Sequence, residues 1–317
     1  MISVVVPVFD VEPWLGACLE SLAAQTLGDF EAIVVDDGST DGSAGAAERF
    51  AARDARFRVV RAEHGGLASA RNEGLSRVRG EWIAFVDSDD AVAPDYLESL
   101  LSAAERSGAE IACCGKRAFA GEPPRVAPAA GPRPFEALSG PEAAARALRQ
   151  SDAPDYSAWG KLYSAAFWGG RRFPARRRFE DMALVPGVLA DARRVAFVRD
   201  GLYLYRRRAD GLLGTALASD PAELLEIAEG LERSVGSASP ELAAAARANL
   251  LSACFSVLLR SPRSPENEEA RERARRGILR LRAGVLLDPR ARFRNRAACL
   301  LSFAGLGPLE ALFGRKP

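Results

Sequence analysis

The stretch WIAFVDSDD, residues 82–90, changes from five apolar residues to three carboxylates within four positions. A short apolar run rich in β-branched and aromatic side chains is typical of a buried strand. The pattern therefore predicts a strand at residues 82–86. Carboxylates this close together repel one another and raise each other's pKa unless a cation lies among them. The acids therefore either point into water or hold a cation at the end of a strand.

Runs of the same kind recur along the first 115 residues. Four more are Ile2–Val6, Glu31–Val35, Phe57–Arg61 and Glu110–Cys114. Segments with helical periodicity separate them, and the first segment carries an apolar stripe at Leu15, Cys18, Leu19 and Leu22. Strands that alternate with helices favour βαβ units, in which helices flank a mostly parallel sheet. This part of the chain is therefore predicted to have an α/β fold.

The rest of the chain is patterned differently. Residues 116–141 are rich in Pro, Gly and Ala and predict an irregular excursion, followed by a short helix at 142–148 and a strand at 195–206. Beyond residue 214 the pattern is helical, with three start signals at Asp220-Pro221, Ser239-Pro240 and Ser264-Pro265. We therefore predict a first domain at 1–213 and a smaller, all-helical domain at 214–317.

Composition excludes several classes of protein. A formal charge of +1 over 317 residues gives no general attraction for nucleic acid, so no nucleic-acid partner is expected. The five cysteines have neither metal-ligand spacing nor the density of a disulfide scaffold, which predicts reduced core residues. We see no signal peptide and no run of about 18 apolar residues. The protein is expected to be cytoplasmic, or bound at the inner face of the plasma membrane.

Polar and acidic residues follow three of the predicted strands, at 7–10, 36–39 and 87–90. Ligands of open α/β sheets bind beyond the carboxyl ends of the strands, so these segments are expected at one edge. An acidic edge repels phosphate unless a divalent metal mediates. Mg²⁺ and Mn²⁺ prefer oxygen ligands and typically use one or two carboxylates plus substrate phosphates.

Other motifs with similar residues do not fit. Asp87 and Glu98 have the spacing of an EF-hand loop, but Val92 stands where the turn glycine belongs and a strand precedes the loop. Neither the G-x-G-x-x-G fingerprint nor a P-loop follows the first strand. The only histidine, His64, has no G-x-S-x-G nucleophile motif to accompany it, so a conventional triad is not predicted.

Four ordered motifs resemble one known family. They are VVVPVFDVEPWLGACLESLAAQTLGDFEAIVVDDGSTDGS at 4–43, GGLASARNEGL at 65–75, GEWIAFVDSDD at 80–90 and RFEDM at 178–182. In this order and at these intervals they are similar to the family 2 inverting glycosyltransferases of GT-A fold. The resemblance covers residues 1–210, with PVFD where PVYN is common and Gly160 before Lys161 where Asn is frequent. It does not extend to the helical C-terminal region.

The resemblance implies a role for particular residues. Donor-binding positions would be Pro7, Val8, Phe9, Glu12, Asp36, Asp37, Arg71, Asn72, Asp87, Ser88 and Arg206. Asp87 and Asp89 would form the D-x-D motif that binds the metal, Mn²⁺ or Mg²⁺, with Asp89 the more direct ligand. Asp181 would be the catalytic base. A single base opposite the leaving group inverts the anomeric centre, so these roles are chemically consistent.

The function implied is transfer of a sugar from a nucleotide-sugar, a UDP-sugar by preference, to a hydroxyl of a glycan or glycolipid in cell-surface polysaccharide synthesis. The alternative is a catalytically silent nucleotide-sugar-binding scaffold whose helical tail docks a partner enzyme. A nucleotidyltransferase on a similar sheet would need a basic, glycine-rich loop after the first strand, and residues 8–10 do not form one.

Arginine clusters leave two interpretations open in each case. The cluster at 171–178 either steers a phosphate-bearing acceptor or is a solvated loop, and Arg206–Arg208 either contact phosphate or are a charged strand exit. Four arginines at 290–296 precede a mostly apolar stretch at 297–313. Residues 290–317 are therefore expected either to touch an anionic membrane surface or to pack as an ordinary helix.

Overall fold

A computed structural model describes residues 1–150, 154–175, 178–208, 220–236 and 239–313. The chain divides into two compact units. The first comprises Met1–Gly140, Ser157–Leu184 and Ala192–Ala209, and the second comprises Pro141–Tyr156, Val185–Asp191 and Asp210–Pro317. The predicted boundary at 213/214, Arg176 and Arg177 of the arginine cluster, and Arg315 and Lys316 lie outside the described residues.

The first unit is built on a mixed sheet. Its strands are β1 (Ile2–Val8), β2 (Phe30–Asp36), β3 (Phe57–Arg61), β4 (Trp82–Phe85), β5 (Ala91–Val92), β6 (Ile111–Phe119), β7 (Glu136–Leu138), β8 (Lys161–Ser164) and β9 (Val195–Arg206). The order is β3-β2-β1-β4-β8-β6-β9-β5, with β7 paired to β9. Strands β1 to β4 are mutually parallel where they pair, whereas β5, β7 and β8 run antiparallel to their neighbours.

Seven helices precede the last strand within the described residues. They are α1 (Glu12–Ala23), α2 (Ser43–Ala51), α3 (Leu67–Leu75), α4 (Tyr96–Ser107), α5 (Gly140–Arg149), α6 (Ala165–Trp168) and α7 (Glu180–Asp191). Helix α1 buries the stripe predicted from its periodicity. Helix α3 approaches β1 closely. The approach is so close that a Cβ at Gly74 would lie 2.3 Å from a methyl carbon of Val5. Glycine at this position lets the helix settle on the sheet.

The α/β prediction is confirmed, and its details change between residues 116 and 141. Strand β6 continues to Phe119 instead of ending at Cys114, and β7 lies inside the segment expected to be irregular. Residues 116–119 pair with 203–206 of β9. This pairing satisfies backbone groups that the Pro- and Gly-rich composition gave no reason to place in a strand.

In the second unit, five helices follow β9 within the described residues. They are α8 (Pro221–Ser234), α9 (Pro240–Arg260), α10 (Pro265–Leu287), α11 (Phe293–Ser302) and α12 (Leu306–Phe313). Three begin at the predicted prolines. The side chains of Asp220 and Ser239 cap α8 and α9, each accepting an N–H bond at 3.1 Å, whereas Ser264 makes no such cap. The helical C-terminal region is thus confirmed.

Helix α9 is long, at 21 residues, and mostly apolar. Among the described residues it alone is long and apolar enough to cross a bilayer, although Arg247 interrupts it and the sequence analysis did not select it. Two thirds of its most apolar stretch is buried inside the protein (67%). This is the burial expected of a core helix. All five cysteines are buried, as predicted, and they are not joined in disulfides.

Candidate active site

The carboxyl ends of three neighbouring parallel strands meet at one edge of the sheet. Strand β1 pairs with β2 on one side and with β4 on the other, with Val8 opposite Asp36 and Val5 opposite Phe85. The segments that follow these strands, including the three acids of 87–90, therefore lie at a common edge. Pro7 and Val8 are buried in β1 just before that edge.

Asp37 links the end of β2 to the loop before α3. Its carboxylate accepts backbone N–H bonds from Gly65 at 2.9 Å and Gly66 at 2.8 Å, and the residue is buried. Gly38 has a φ of +77°, and a Cβ there would approach the backbone nitrogen of His64 to 3.2 Å. Glycine is needed for this close approach. The carboxylate is thereby fixed in position, and its remaining lone pairs can accept from a ligand.

Two exposed rings lie beside this loop. The ring centroids of Phe9 and His64 are 4.3 Å apart with an interplanar angle of 32°, and Phe9 is 42% exposed. The carboxylates of Glu12 and Asp36 accept backbone N–H bonds from the turn at 39–42, at 3.1 and 3.2 Å. These residues surround the edge where a donor was predicted to bind, and their contact with a donor stays a prediction.

A buried guanidinium joins the D-x-D motif to the predicted base. Arg71 projects from α3 and is 1% exposed. Its Nη2 donates to Asp87 Oδ1 at 2.9 Å, and its Nη1 donates to Asp181 Oδ1 at 2.6 Å and to Glu180 Oε1 at 2.8 Å. Three carboxylates from two distant chain segments therefore converge on one cation, which has the planar, multi-donor geometry that such a site requires.

Burial and charge act against each other at this junction. Burial disfavours the charged form of Arg71, but the three carboxylates outweigh it and raise its pKa. Burial also raises the pKa of Asp181, against the opposing effect of Arg71, and Asp87 raises it further. For Glu180, burial and the charge of Asp181 raise the pKa to about 7. Protons at this site are therefore held more tightly than on ordinary surface carboxylates.

Asp181 is positioned from both sides. Its second carboxylate oxygen accepts the backbone N–H of Ala158 at 2.9 Å. The side chain retains 18% exposure, in contrast to 7% for Glu180. Because Asp181 starts α7 and is held by Arg71 and Ala158, its carboxylate has a fixed orientation and still reaches solvent. Those are the properties expected of a general base that must meet an incoming hydroxyl.

Asp89 is paired with a second arginine. Its Oδ2 lies 3.1 Å from Nη1 of Arg208, whose guanidinium carbon lies 3.8 Å from the ring centroid of Trp14. Burial, followed by the charge of Asp87, raises the pKa of Asp89. The two D-x-D carboxylates thus repel each other, although each also has a cationic partner in Arg71 or Arg208.

Asp90, the third acid, is a structural acceptor. It is 1% exposed, accepts from Tyr203 Oη at 2.8 Å and accepts the backbone N–H of Arg206 at 2.7 Å. The same Tyr203 oxygen accepts the backbone N–H of Asp87 at 3.1 Å. Burial and the neighbouring carboxylates Asp87 and Asp89 raise the pKa of Asp90 to about 8. The hydroxyl of Tyr203 in β9 therefore connects Asp87 and Asp90, the first and last acids of the loop, by hydrogen bonds.

Of the remaining predicted residues, Asn72 and Arg206 have hydrogen-bond partners within the protein and Ser88 is buried. The side-chain amide of Asn72 exchanges two hydrogen bonds with the backbone of Phe173, at 2.8 and 2.9 Å. Ser88 is buried between the two D-x-D acids. Arg206 is 8% exposed and donates through Nε to the backbone oxygen of Asp89 at 2.6 Å. In this structure these side chains support the loops of the site.

The carboxylates of Asp87 and Asp89 are suited to bind a divalent cation whose other ligands are the phosphates of a substrate. No group of three or more His, Cys, Asp or Glu residues suited to hold a metal occurs in the part of the chain that the structure describes. Asp87 and Asp89 supply two hard oxygen donors, and the charge of Asp87 adds to burial in raising the pKa of Asp89. Mg²⁺ or Mn²⁺ needs no more than one or two carboxylates when substrate phosphates complete its coordination.

Comparison with known proteins identifies the class to which this fold and its acidic edge belong, that of the glycosyltransferases. Residues 3–168, more than half of the chain, match the family described as glycosyl transferase family 2. The chain belongs to that family. A curated relative, the uncharacterized glycosyltransferase EpsJ of Bacillus subtilis, is 34% identical over 223 residues, which cover 67% of this chain and 62% of that protein. The matched region thus spans less than two thirds of this relative.

Two solved structures share the fold. S. aureus TarS 1-349 in complex with UDP-GlcNAc has a TM-score of 0.69 at 21% identity, covering 96% of this chain and 91% of that one. The mannosyltransferase PcManGT from Pyrobaculum calidifontis, in complex with GDP-Man and Mn²⁺, has a TM-score of 0.58 at 19% identity, covering 97% and 80%. These similarities establish the architecture.

Proposed function

We propose that the protein is an inverting glycosyltransferase that moves a sugar from a UDP-sugar to a hydroxyl of a glycan or glycolipid in cell-surface polysaccharide synthesis. The observation that carries the proposal is the junction at Arg71, where Asp87 and Asp181 bind the same guanidinium at 2.9 and 2.6 Å. The proposed leaving-group site and the proposed base are thereby held by one side chain, which favours displacement at a single anomeric carbon.

Asp181 is the proposed base. As the acceptor hydroxyl attacks the anomeric carbon, its oxygen forms a bond to that carbon and its proton passes to the carboxylate of Asp181. The bond from the anomeric carbon to the diphosphate oxygen breaks, and its electron pair leaves with the diphosphate. A single displacement from the face opposite the leaving group inverts the configuration. The raised pKa of Asp181 favours proton uptake at this step.

Asp87 and Asp89 are the proposed ligands of Mn²⁺ or Mg²⁺, with Asp89 the more direct one. When bound there, the cation would neutralise charge that develops on the diphosphate. Arg71 keeps Asp87 oriented, and Tyr203 holds the backbone N–H of Asp87 and the carboxylate of Asp90. Arg208, which pairs with Asp89 in this structure, is placed to contact a phosphate once Asp89 binds another cation.

The UDP preference is supported by the edge built around Asp37 and by the bound ligand of TarS. Asp37 is fixed by Gly65 and Gly66 and retains acceptor capacity for the N–H of a base. Phe9 presents an exposed ring next to it. The TarS structure of the same fold contains UDP-GlcNAc, and the PcManGT structure contains GDP-Man and Mn²⁺. A comparison of uridine and guanosine donors therefore decides between two real possibilities.

The test is a donor screen with a stereochemical readout. We expect Mn²⁺-dependent release of UDP from one UDP-sugar and weaker turnover of GDP-mannose. Proton NMR of the glycosidic product should show the anomeric configuration opposite to that of the donor. Retention of configuration would overturn the single-displacement mechanism. Metal-dependent UDP binding without transfer or hydrolysis for any donor would instead favour the silent nucleotide-sugar-binding scaffold.

A further inference from the structure

Helix α11, Phe293–Ser302, has its apolar face outward. Phe293 is 84% exposed, Leu300 is 62% exposed and Leu301 is 47% exposed. Its buried positions are Asn295, Cys299 and Ser302. Residues 293, 297, 300 and 301 share one side of a helix with 3.6 residues per turn. A surface helix of a water-soluble protein normally has the reverse arrangement, with its apolar stripe facing the core.

Positive charge borders this apolar face. Arg294 and Arg296 follow Phe293 on opposite sides of the helix surface, given the helical period. Residues 289–309 contain four arginines and no Asp or Glu. The next acid, Glu310 of α12, is buried and paired with Arg271 at 2.6 Å. Its charge is therefore compensated inside the unit and does not oppose the arginines.

Positions on either side of α11 in the chain present further large apolar side chains. Leu287 is 79% exposed and Phe303 is 52% exposed. Arg282 lies with its guanidinium carbon 4.2 Å from the ring centroid of Phe303 and donates to the backbone oxygen of Ser302 at 2.6 Å. Arginine stems and aromatic rings arranged in this way are typical of surfaces that meet both hydrocarbon and headgroups.

We propose that α11 binds in the plane of an anionic phospholipid bilayer, with Phe293, Leu300 and Leu301 entering the acyl boundary and Arg294 and Arg296 at the phosphate level. Charge complementarity selects this partner. A second copy of the chain meeting the same face about a twofold axis would bring arginine against arginine, with no acid in 289–309 to offset them. Membrane binding at this surface is independent of the proposed sugar transfer, and it would hold the protein at the inner face of the plasma membrane.

The apolar part is tested by vesicle sedimentation of the full chain. We expect binding to vesicles of phosphatidylglycerol and phosphatidylethanolamine and little binding to vesicles of phosphatidylcholine. The variant Phe293→Ser should bind about thirtyfold more weakly, because each such side chain contributes on the order of 2 kcal/mol when buried. Adding Leu300→Ser should weaken binding again. Phe293→Leu with Leu300→Met keeps the face apolar and should retain affinity.

The charged part is tested in the same assay. Arg294→Gln should weaken binding to the anionic vesicles about fivefold, since an arginine near such a surface contributes about 1 kcal/mol, and Arg294→Lys should retain it. Arg193→Gln removes an 80% exposed arginine of the first unit and serves as the matched control. Thermal unfolding and donor hydrolysis in solution should be unchanged in all these variants, because the altered side chains are exposed and outside the site.

Several results would overturn the proposal. They are equal binding to neutral and anionic vesicles, no binding to either, or unchanged binding of the Phe293→Ser/Leu300→Ser protein. A stable dimer in the absence of lipid that dissociates on Leu300→Ser would assign the face to a second copy of the chain instead. Analytical ultracentrifugation of the wild-type and Leu300→Ser proteins distinguishes this outcome.

Discussion

Asp87 and Asp181, 94 positions apart in the chain, are bound to the two terminal nitrogens of one guanidinium, that of Arg71, at 2.9 and 2.6 Å. Asp87 lies in the loop that follows strand β4, and Asp181 lies in the first turn of α7. The buried cation balances part of the negative charge and fixes both carboxylates in one geometry. The proposed metal ligand and the proposed base are thus parts of one ion-pair network, and changes at Arg71 should affect both.

Asp181→Asn should abolish sugar transfer while UDP still binds. The amide cannot take the acceptor proton, and a positioned general base typically contributes about 10² to 10⁴ in rate. Asn keeps one oxygen that can accept from Arg71 and loses the bond from the N–H of Ala158, so the fold and the D-x-D loop should persist at somewhat lower stability. The measurement is kcat of transfer alongside calorimetric titration of UDP with Mn²⁺. A variant that retains more than about a tenth of wild-type kcat would show that Asp181 is not the base.

Arg71→Lys should lower both activity and stability. Lysine carries the charge but lacks the planar fork that serves three carboxylates, so at least one buried acid loses its partner. Breaking a buried ion pair from one side costs about 3–5 kcal/mol. Urea unfolding and kcat/KM should both fall. The matched control is Arg77→Lys, which changes a partly exposed arginine that is paired with Glu73, four residues earlier in the chain. Equal effects of the two substitutions would contradict the central role of Arg71.

Asp89→Asn should weaken UDP binding only when Mn²⁺ or Mg²⁺ is present. The amide is a poorer ligand for a hard cation than the carboxylate, so the metal-dependent part of the affinity should drop about tenfold or more. Calorimetry with and without metal separates the two contributions. Glu20→Gln, an exposed change on α1, is the control. If the variant loses affinity equally with and without metal, Asp89 contacts the nucleotide directly and is not a metal ligand.

Tyr203→Phe should loosen the acidic loop without disturbing the aromatic stack. The hydroxyl joins Asp90 to the backbone of Asp87, whereas the ring stacks on Trp159 at 4.3 Å. Removing the hydroxyl leaves a buried acceptor short of one partner, which costs about 1–3 kcal/mol. Thermal unfolding and the KM for the donor report the effect. Tyr205→Phe alters the other ring near Trp159 and should change neither quantity comparably.

Glu180→Gln should make stability less dependent on pH. The pKa of Glu180 is raised from 4.5 to about 7 by burial and by Asp181, so the folded protein holds this proton where the unfolded chain has lost it. Wild-type stability therefore contains a part that falls as pH rises from about 4.5 to about 7. Gln can still accept from Arg71 and does not titrate. Relative to the variant, the wild type should lose on the order of 2 kcal/mol between pH 5 and pH 8.

The check for this prediction is thermal unfolding of both proteins at several pH values. Only the difference between them is diagnostic, because Asp181 and other groups titrate in each. Parallel Tm curves for the two proteins would mean that the pKa of Glu180 is close to its ordinary value. A wild type that gains stability relative to the variant as pH rises would give the opposite sign and contradict the burial argument.

Sequence analysis predicted the carboxyl-terminal edge of the sheet correctly because strand ends in a parallel sheet share a side. Motif order selected Asp87, Asp89, Asp181 and Arg71 as site residues, and their roles in binding and catalysis stay predictions. It did not separate Asp90 from the other two acids, since all three stand in one run of the same residue type. The structure separates them: Asp90 is bound by Tyr203, and that tyrosine reaches it from a strand 113 positions later.

Between residues 116 and 141 the local sequence pattern did not predict the strands that the structure contains. Gly and Pro lower strand propensity, yet β6 extends to Phe119 because β9 lies alongside with free backbone groups to pair. The same applies to Glu180, which is adjacent to Asp181 in RFEDM and has no sequence feature that distinguishes a buried ion-pair partner from a surface glutamate. Its role depends on the distance to a side chain 109 positions away.

By itself, the sequence determined the α/β sheet, the family, the acidic edge and the helical C-terminal region, because apolar periodicity and motif order are local properties that every residue carries with it. Only the tertiary structure decided that Arg71 joins Asp87, Glu180 and Asp181, and that α11 turns its apolar side outward. Charge balance and burial depend on which distant segments meet in space, and periodicity identifies an apolar face without saying which way it points.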